Sequence, residues 1–132
     1  MTSNGERHPA ILVVEDVEET RRGIERLLTR DGYKVTTADG ENEAVLKVGL
    51  QSPDLILMSL DYADAQLVAL ARRIRDRSGL PAEVPVVVFC SGSVGEGAEV
   101  DAGNNVYLIR PDNFDQLRAF ISRLLRKLPR AC

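Results

Sequence analysis

The chain has 132 residues, of which 44% are hydrophobic and 28% charged, and its formal net charge is −3. This length suits one domain with a buried core, and the composition is typical of a soluble globular protein. No apolar segment approaches the roughly 20 residues of a membrane span. Residues 1–9 also lack the apolar core of a signal peptide. Cys90 and Cys132 lie too far apart for a disulfide framework or a metal cluster, which favours a reducing cytoplasm.

Strand and helix signals alternate along the chain. The predicted strands are 10–14, 33–37, 55–58, 85–90 and 106–109, and the predicted helices are 18–30, 41–50, 64–77 and 113–128. The last helix has the strongest pattern, with an apolar stripe of Phe114, Leu117, Phe120, Ile121, Leu124 and Leu128. Segment 91–105 contains four glycines. Each glycine weakens a helix by about 1 kcal/mol relative to alanine, so we expect a short or frayed helix there at most.

This alternation predicts an α/β fold with a doubly wound parallel sheet. Four of the strand segments are almost entirely apolar, which suits central strands buried on both faces, whereas 33–37 is mixed and suits an edge. The expected order of the five-stranded sheet is 2-1-3-4-5, the flavodoxin-like three-layer sandwich. We expect one domain over 10–128, with flexible tails at 1–9 and 129–132.

Polar residues mark the ends of two central strands. The run 55–58 ends in Ser59 and Asp61, and the first strand is followed by Glu15 and Asp16. In an open parallel sheet, ligands and chemistry lie at the carboxyl ends of the strands. The sequence therefore predicts a functional site near Ser59.

Several short motifs occur in an order and spacing that resemble a known family. They are Ile11-Leu12-Val13-Val14-Glu15-Asp16, Asp31-Gly32-Tyr33, Asp39-Gly40-Glu41, Pro53-Asp54-Leu55-Ile56-Leu57 and Arg110-Pro111. Together they resemble the receiver domain of bacterial two-component response regulators, over about residues 10–128. This family transfers a phosphoryl group from a histidine kinase to its own aspartate and uses Mg²⁺.

The resemblance implies a role for individual residues near the site. Glu15 and Asp16 match the two acids that hold the metal, and Asp61 matches a residue whose backbone carbonyl completes the metal site. Ser59 stands where the family has its phosphoacceptor aspartate. A serine hydroxyl is a poor substitute because it needs an adjacent base to become a nucleophile.

Three further positions match residues that change on activation in the family. Cys90 replaces a threonine or serine, and a thiol is a weaker hydrogen-bond donor than a hydroxyl. Arg110 replaces a lysine, although its planar fork is not equivalent to an ammonium point charge. Tyr107 matches the aromatic switch position. The fold motifs are thus kept, while the chemical motifs depart from the pattern.

We expect a degenerate receiver that acts as an adaptor in two-component signalling without phosphorylation and is not an enzyme. The alternative is a phosphoryl-accepting regulator that uses Asp61 as a substitute acceptor with Mg²⁺. No cofactor is expected to be required, and Mg²⁺ should bind weakly through Glu15, Asp16 and Asp61. Arg110 is expected to lie across the site and to pair with Asp16, Asp61 or both, since convergent carboxylates need a counterion.

The expected partner is a protein, either a histidine kinase or an effector, bound through residues 91–128. We expect neither membrane association nor direct nucleic-acid binding, because the basic residues of the last helix lack interleaved aromatics or a reading motif. A monomer or a weak dimer is expected.

Overall fold

The structure, a computed structural model, describes residues 8–90 and 94–127. The strands are β1 (Ala10–Glu15), β2 (Lys34–Ala38), β3 (Leu55–Ser59), β4 (Val86–Phe89), β5 (Glu99–Asp101) and β6 (Val106–Ile109). The helices are α1 (Glu18–Arg30), α2 (Glu41–Leu50), α3 (Asp64–Ser78) and α4 (Phe114–Lys127). Within these described ranges, no helix combines the length and the apolar character needed to span a membrane.

The strands form one sheet in the order β2-β1-β3-β4-β6-β5. All neighbours are parallel except β5 and β6, which pair antiparallel at one edge. The parallel part confirms the flavodoxin-like arrangement, with the mixed strand β2 at the opposite edge. In the centre, Glu15 of β1 lies beside Ser59 of β3, so the two strands end together.

The segment before β6 differs from the prediction of a five-stranded sheet. The described residues 94–105 form a short strand rather than a frayed helix, and residues 91–93 lie outside the described part. The tight turn into β6 needs left-handed backbone at Gly103, Asn104 and Asn105, with φ of 94°, 56° and 64°. Glycine adopts such angles freely and asparagine tolerates them, so the sequence is well suited to this turn.

Two apolar cores lie on opposite faces of the sheet. One is formed with α2 and α3, the other with α1 and α4. In α4 the predicted stripe is buried at Leu117, Phe120, Ile121 and Leu124, and Phe114 packs partly against it. Leu125 is also buried, which the prediction missed, and Leu128 lies outside the described residues.

Candidate functional site

The residues that the sequence predicted for the site meet in one cleft at the carboxyl ends of β1, β3, β4 and β6. The cleft has a volume of about 440 Å³. Its polar lining comprises Glu15, Asp16, Ser59, Asp61, Cys90 and Arg110. Its apolar and aromatic lining includes Val17, Tyr62, Leu67, Phe89, Ile109 and Pro111. Tyr107 is the one predicted residue that does not line it.

The acidic side of the cleft is built on the end of β1. Glu15 is only 4% exposed, and its Oε2 accepts a hydrogen bond of 2.9 Å from the backbone N–H of Val17. Asp16 and Asp61 are exposed. Hard cations such as Mg²⁺ need several oxygen ligands at once. In the part of the chain that the structure describes, no three His, Cys, Asp or Glu side chains are grouped so as to hold a metal ion. Weak Mg²⁺ binding remains a prediction, and we derive no chemical step through the metal.

Ser59 is the last residue of β3 and is half-buried beside Glu15. Its hydroxyl has no hydrogen bond to a carboxylate or imidazole within residues 8–90 and 94–127. A serine becomes a nucleophile only when an adjacent base takes its proton. Among the described residues, Ser59 therefore has no hydrogen-bonded base that would activate its hydroxyl.

Cys90 follows β4 and turns its thiol into the protein. The side chain is buried, and Sγ lies 3.8 Å from the carbonyl oxygen of Ile109, to which it donates. Burial raises the pKa of the Cys90 thiol, Asp64 raises it further, and Arg110 partly opposes both. The group is therefore a neutral, weak donor that is already bonded to the backbone.

Arg110 does not pair with the acids of the cleft, so the prediction that it binds Asp16 or Asp61 is wrong. Its Nη1 donates to the carbonyl oxygen of Val94 at 3.1 Å, and no ion pair between described residues joins it to either aspartate. The reason is local backbone. The chain at Gly97 and Ala98 pairs with the backbone of Arg110 at 2.6 and 3.1 Å, which brings the Val94 carbonyl within reach.

A family model described as the response regulator receiver domain matches residues 11–122. The chain belongs to this family. The match covers β1 to most of α4 and so includes the strand ends that form the cleft.

Curated relatives of this receiver are regulators of about twice its length. The transcriptional regulatory protein KdpE of Staphylococcus aureus is 31% identical over 123 residues, which is 92% of this chain and 51% of that protein. KdpE of Escherichia coli, a KDP operon transcriptional regulatory protein, is 31% identical over 119 residues, which is 89% of the chain and 51% of that protein. The chain thus spans about half the length of these relatives.

Solved structures show the same fold. A receiver domain of a sensor histidine kinase from Pseudomonas aeruginosa, with a magnesium ion coordinated in its active-site cleft, is 27% identical with a TM-score of 0.65. The similarity covers 92% of this chain and all of that one. The signal receiver domain of a histidine kinase from Syntrophus aciditrophicus has a TM-score of 0.71 at 22% identity, covering 94% and 95% of the two chains. The second likeness supports the fold alone.

Tyr107 of this receiver lies on β6 and faces α4 rather than the cleft. Its hydroxyl donates to Asn105 Oδ1 at 2.8 Å. Its ring packs edge-on against Phe120, with ring centroids 5.7 Å apart and an interplanar angle of 78°. The Arg123 guanidinium lies over the Phe120 ring, 5.1 Å from the ring centroid. These contacts place the tyrosine ring between the sheet and the helix.

Sequence reasoning missed Tyr62, which lines the cleft and is 56% exposed. It also lines a neighbouring cleft of about 350 Å³ that includes Asp39, Gln66 and Arg73. Its place next to Asp61 was the available signal. An exposed aromatic ring between two clefts is a natural contact for a binding partner.

Proposed function

We propose that this receiver is an adaptor module of two-component signalling whose competence to bind a partner does not depend on phosphorylation. One observation carries the proposal, namely the serine at the end of β3, at the position where the resemblance implies the phosphoacceptor aspartate. Phosphoryl transfer to a receiver needs an ionised carboxylate at that place, and the Ser59 hydroxyl has no hydrogen bond to a base among the described residues.

The surroundings of Ser59 support the same conclusion. The two side chains that should recognise a phosphoryl group have other bonds, because Cys90 donates to Ile109 and Arg110 donates to Val94. Tyr107 is fixed against Phe120. A receiver of this kind has one resting arrangement and needs no covalent step to reach it.

The adaptor binds another protein, a histidine kinase or an effector, and catalyses no reaction on a separate substrate. The predicted partner face, 91–128, includes β5, β6 and α4 in its described part. The names of the relatives indicate transcriptional regulation by those whole proteins. For this chain a link to a transcriptional output is part of the proposal.

Asp61 is the alternative acceptor because it is exposed and lines the same cleft as Glu15 and Asp16. A carboxylate there could accept a phosphoryl group from a small donor. The adaptor hypothesis predicts that it does not, since it lies two residues beyond Ser59, after the strand has ended.

Intact mass spectrometry tests the proposal directly. The protein is incubated with acetyl phosphate and Mg²⁺, beside an Asp61→Asn variant as the matched control. We expect no change in mass in either protein. A base-labile gain of about 80 Da, the mass of one phosphoryl group, would contradict the adaptor function. If the gain disappeared in Asp61→Asn, the substitute acceptor would be identified.

A further inference from the structure

The free edge of β5 has backbone groups that no described residue binds. In the β5–β6 pair, the Arg110 N–H donates to the Ala98 carbonyl, and the Ala102 N–H donates to the Val106 carbonyl. Antiparallel pairs alternate between residues that bond to the neighbouring strand and residues that do not. Val100 therefore bonds inward to Leu108, its register partner, while the N–H and C=O groups of Glu99 and Asp101 point away from the sheet.

All three residues of β5 are exposed, and Val100 is 41% exposed on the face where Leu108 packs. An exposed strand edge is a template for another extended chain, so proteins usually cover or blunt it. Nothing in residues 8–90 and 94–127 covers the outward groups of Glu99 and Asp101.

The edge is pinned in place from within the protein, so it is a rigid template. Glu99 accepts hydrogen bonds from Arg123 at 2.6 Å and Gln116 at 3.0 Å. On the other face, the Arg72 guanidinium donates to the Ala102 carbonyl at 3.0 Å. A preformed edge of this kind reduces the ordering cost that a binding partner has to overcome.

The charge at this edge decides what can bind. The stretch 94–109 contains Glu96, Glu99 and Asp101 but no lysine or arginine. Glu96 has no ion pair with another described residue, and Asp101 uses only Oδ1, as acceptor for the Gly103 N–H at 2.8 Å. Pairing of β5 with β5 of a second copy would place like charges opposite each other, which is destabilising.

We propose that β5 is a docking edge for an extended basic segment of a partner protein, which adds to the sheet as a further, antiparallel strand. The proposal rests on the adaptor function and names the chemistry of the partner. A lysine or arginine of the segment lies opposite Asp101, which has no ion pair with another described residue, and an apolar residue next to it lies beside Val100. The Glu99 carboxylate is already bound by Arg123 and Gln116, so Glu99 contributes its backbone groups. Backbone hydrogen bonds to Glu99 and Asp101 give affinity, and the charges give specificity.

The test uses a short peptide of alternating lysine and valine with blocked ends, titrated into the ¹⁵N-labelled full chain. We expect saturable amide shifts centred on Glu99 and Asp101. Two N-methylated versions of the peptide serve as controls. Methylating the lysine amides, which face β5, should abolish binding, whereas methylating the valine amides, which face away, should preserve it. Equal effects of the two methylations, or shifts elsewhere on the protein, would overturn the proposal.

A charge-swapped variant, Glu96→Lys with Asp101→Lys, provides the second arm. The affinity of this variant for the lysine–valine peptide should fall by at least about tenfold. A glutamate–valine peptide should bind more tightly to the variant than to the unaltered protein. Unchanged preferences would overturn the proposal, as would concentration-dependent self-association through β5 without peptide. No phosphodonor is present, so failure here removes the docking edge without bearing on the phosphorylation test of the adaptor function.

Discussion

Glu41 has a carboxyl group whose pKa lies well below its ordinary value. It begins α2 and accepts hydrogen bonds from Arg73 at 2.7 and 2.8 Å and from Arg77 at 2.8 Å, both on α3. These bonds, those from Arg73 first, lower the pKa of Glu41 from 4.5 to about 2. A carboxyl group with a lowered pKa stabilises the fold above its ordinary pKa, and the contribution is lost as the pH falls through the folded value.

We therefore predict that Glu41→Gln lowers the denaturation midpoint at neutral pH, and that the difference from the unaltered protein shrinks between about pH 4.5 and pH 2. Urea unfolding across this range measures it, with Glu18→Gln, at an exposed i,i+4 pair, as the control. A difference that stays constant down to pH 2 would show that the ion cluster does not form in solution.

Ser59 gives a second prediction at the same scale. Restoring the family residue with Ser59→Asp should recover little phosphorylation by acetyl phosphate, because Cys90 and Arg110 still lack the hydroxyl and the movable lysine charge. The triple variant that also carries Cys90→Thr and Arg110→Lys should be modified to a much greater extent. Intact mass after incubation measures both. Full modification of the single variant would mean that the serine alone accounts for the loss.

Among the elements, α3 and the β5–β6 turn are joined by one buried arginine. Arg75 is 7% exposed, and its guanidinium donates to the carbonyl oxygens of Asn104, Val84 and Asn105. Its Nε is buried without a hydrogen-bond partner. Burial lowers the pKa of Arg75, since desolvation disfavours the charged form.

Arg75→Met should lower the free energy of unfolding by about 1–3 kcal/mol, because it leaves buried carbonyl groups without donors. Denaturant unfolding measures the change. Arg22→Met is the control, because the Arg22 side chain is 68% exposed and its ion pair with Glu18 lies at the surface, so its cost should stay within about 0.5 kcal/mol. Equal costs for the two substitutions would contradict the structural role of Arg75.

Helix α4 depends on its buried stripe. Leu117 and Ile121 are fully buried against the sheet, so replacing either by alanine should cost about 2–5 kcal/mol. Ala119→Ser, on the exposed side, is the control and should change stability by less than about 0.5 kcal/mol. Costs below that limit at both Leu117 and Ile121 would mean that the stripe is assigned wrongly.

Sequence periodicity located the elements well wherever burial repeats regularly. The bounds of α1 and α2 agree with the prediction, and the order of the parallel strands follows from their apolar character. The strand at 99–101 could not be predicted, because three residues in a segment bounded by Gly97 and Gly103 are too few to show a periodic signal. Because β5 was not predicted, the position of the Val94 carbonyl was not predicted either. The Arg110 side chain donates to that carbonyl, so its direction was predicted wrongly.

The cleft was predictable for a different reason. Parallel strands end at the same edge of a sheet, so the residues at those ends lie close together regardless of the direction of each side chain. The direction of each side chain depends on loops and neighbours that sequence patterns do not specify. Cys90 turns inward to Ile109, and Tyr107 faces α4. Placement at the site could therefore be derived, whereas the contacts within it could not.

At the scale of the whole molecule, the sheet presents two distinct surfaces. The carboxyl ends of the strands form the cleft around Ser59, and β5 forms an acidic edge beside α4. In this chain the cleft has Ser59 at the end of β3, where the resemblance implies the acceptor aspartate, while the β5 edge is held by Arg72, Gln116 and Arg123.

Backbone amide shifts in the presence of beryllofluoride and Mg²⁺ test the independence from phosphorylation most directly, because beryllofluoride occupies an acceptor carboxylate as a phosphoryl group does. Independence predicts unchanged shifts at Ser59, Cys90, Tyr107 and Glu99 beyond the effect of Mg²⁺ alone. It also predicts equal affinity for the lysine–valine peptide with and without the reagent. Saturable new shifts that spread from the cleft to β5, or a peptide affinity that rises with them, would contradict it.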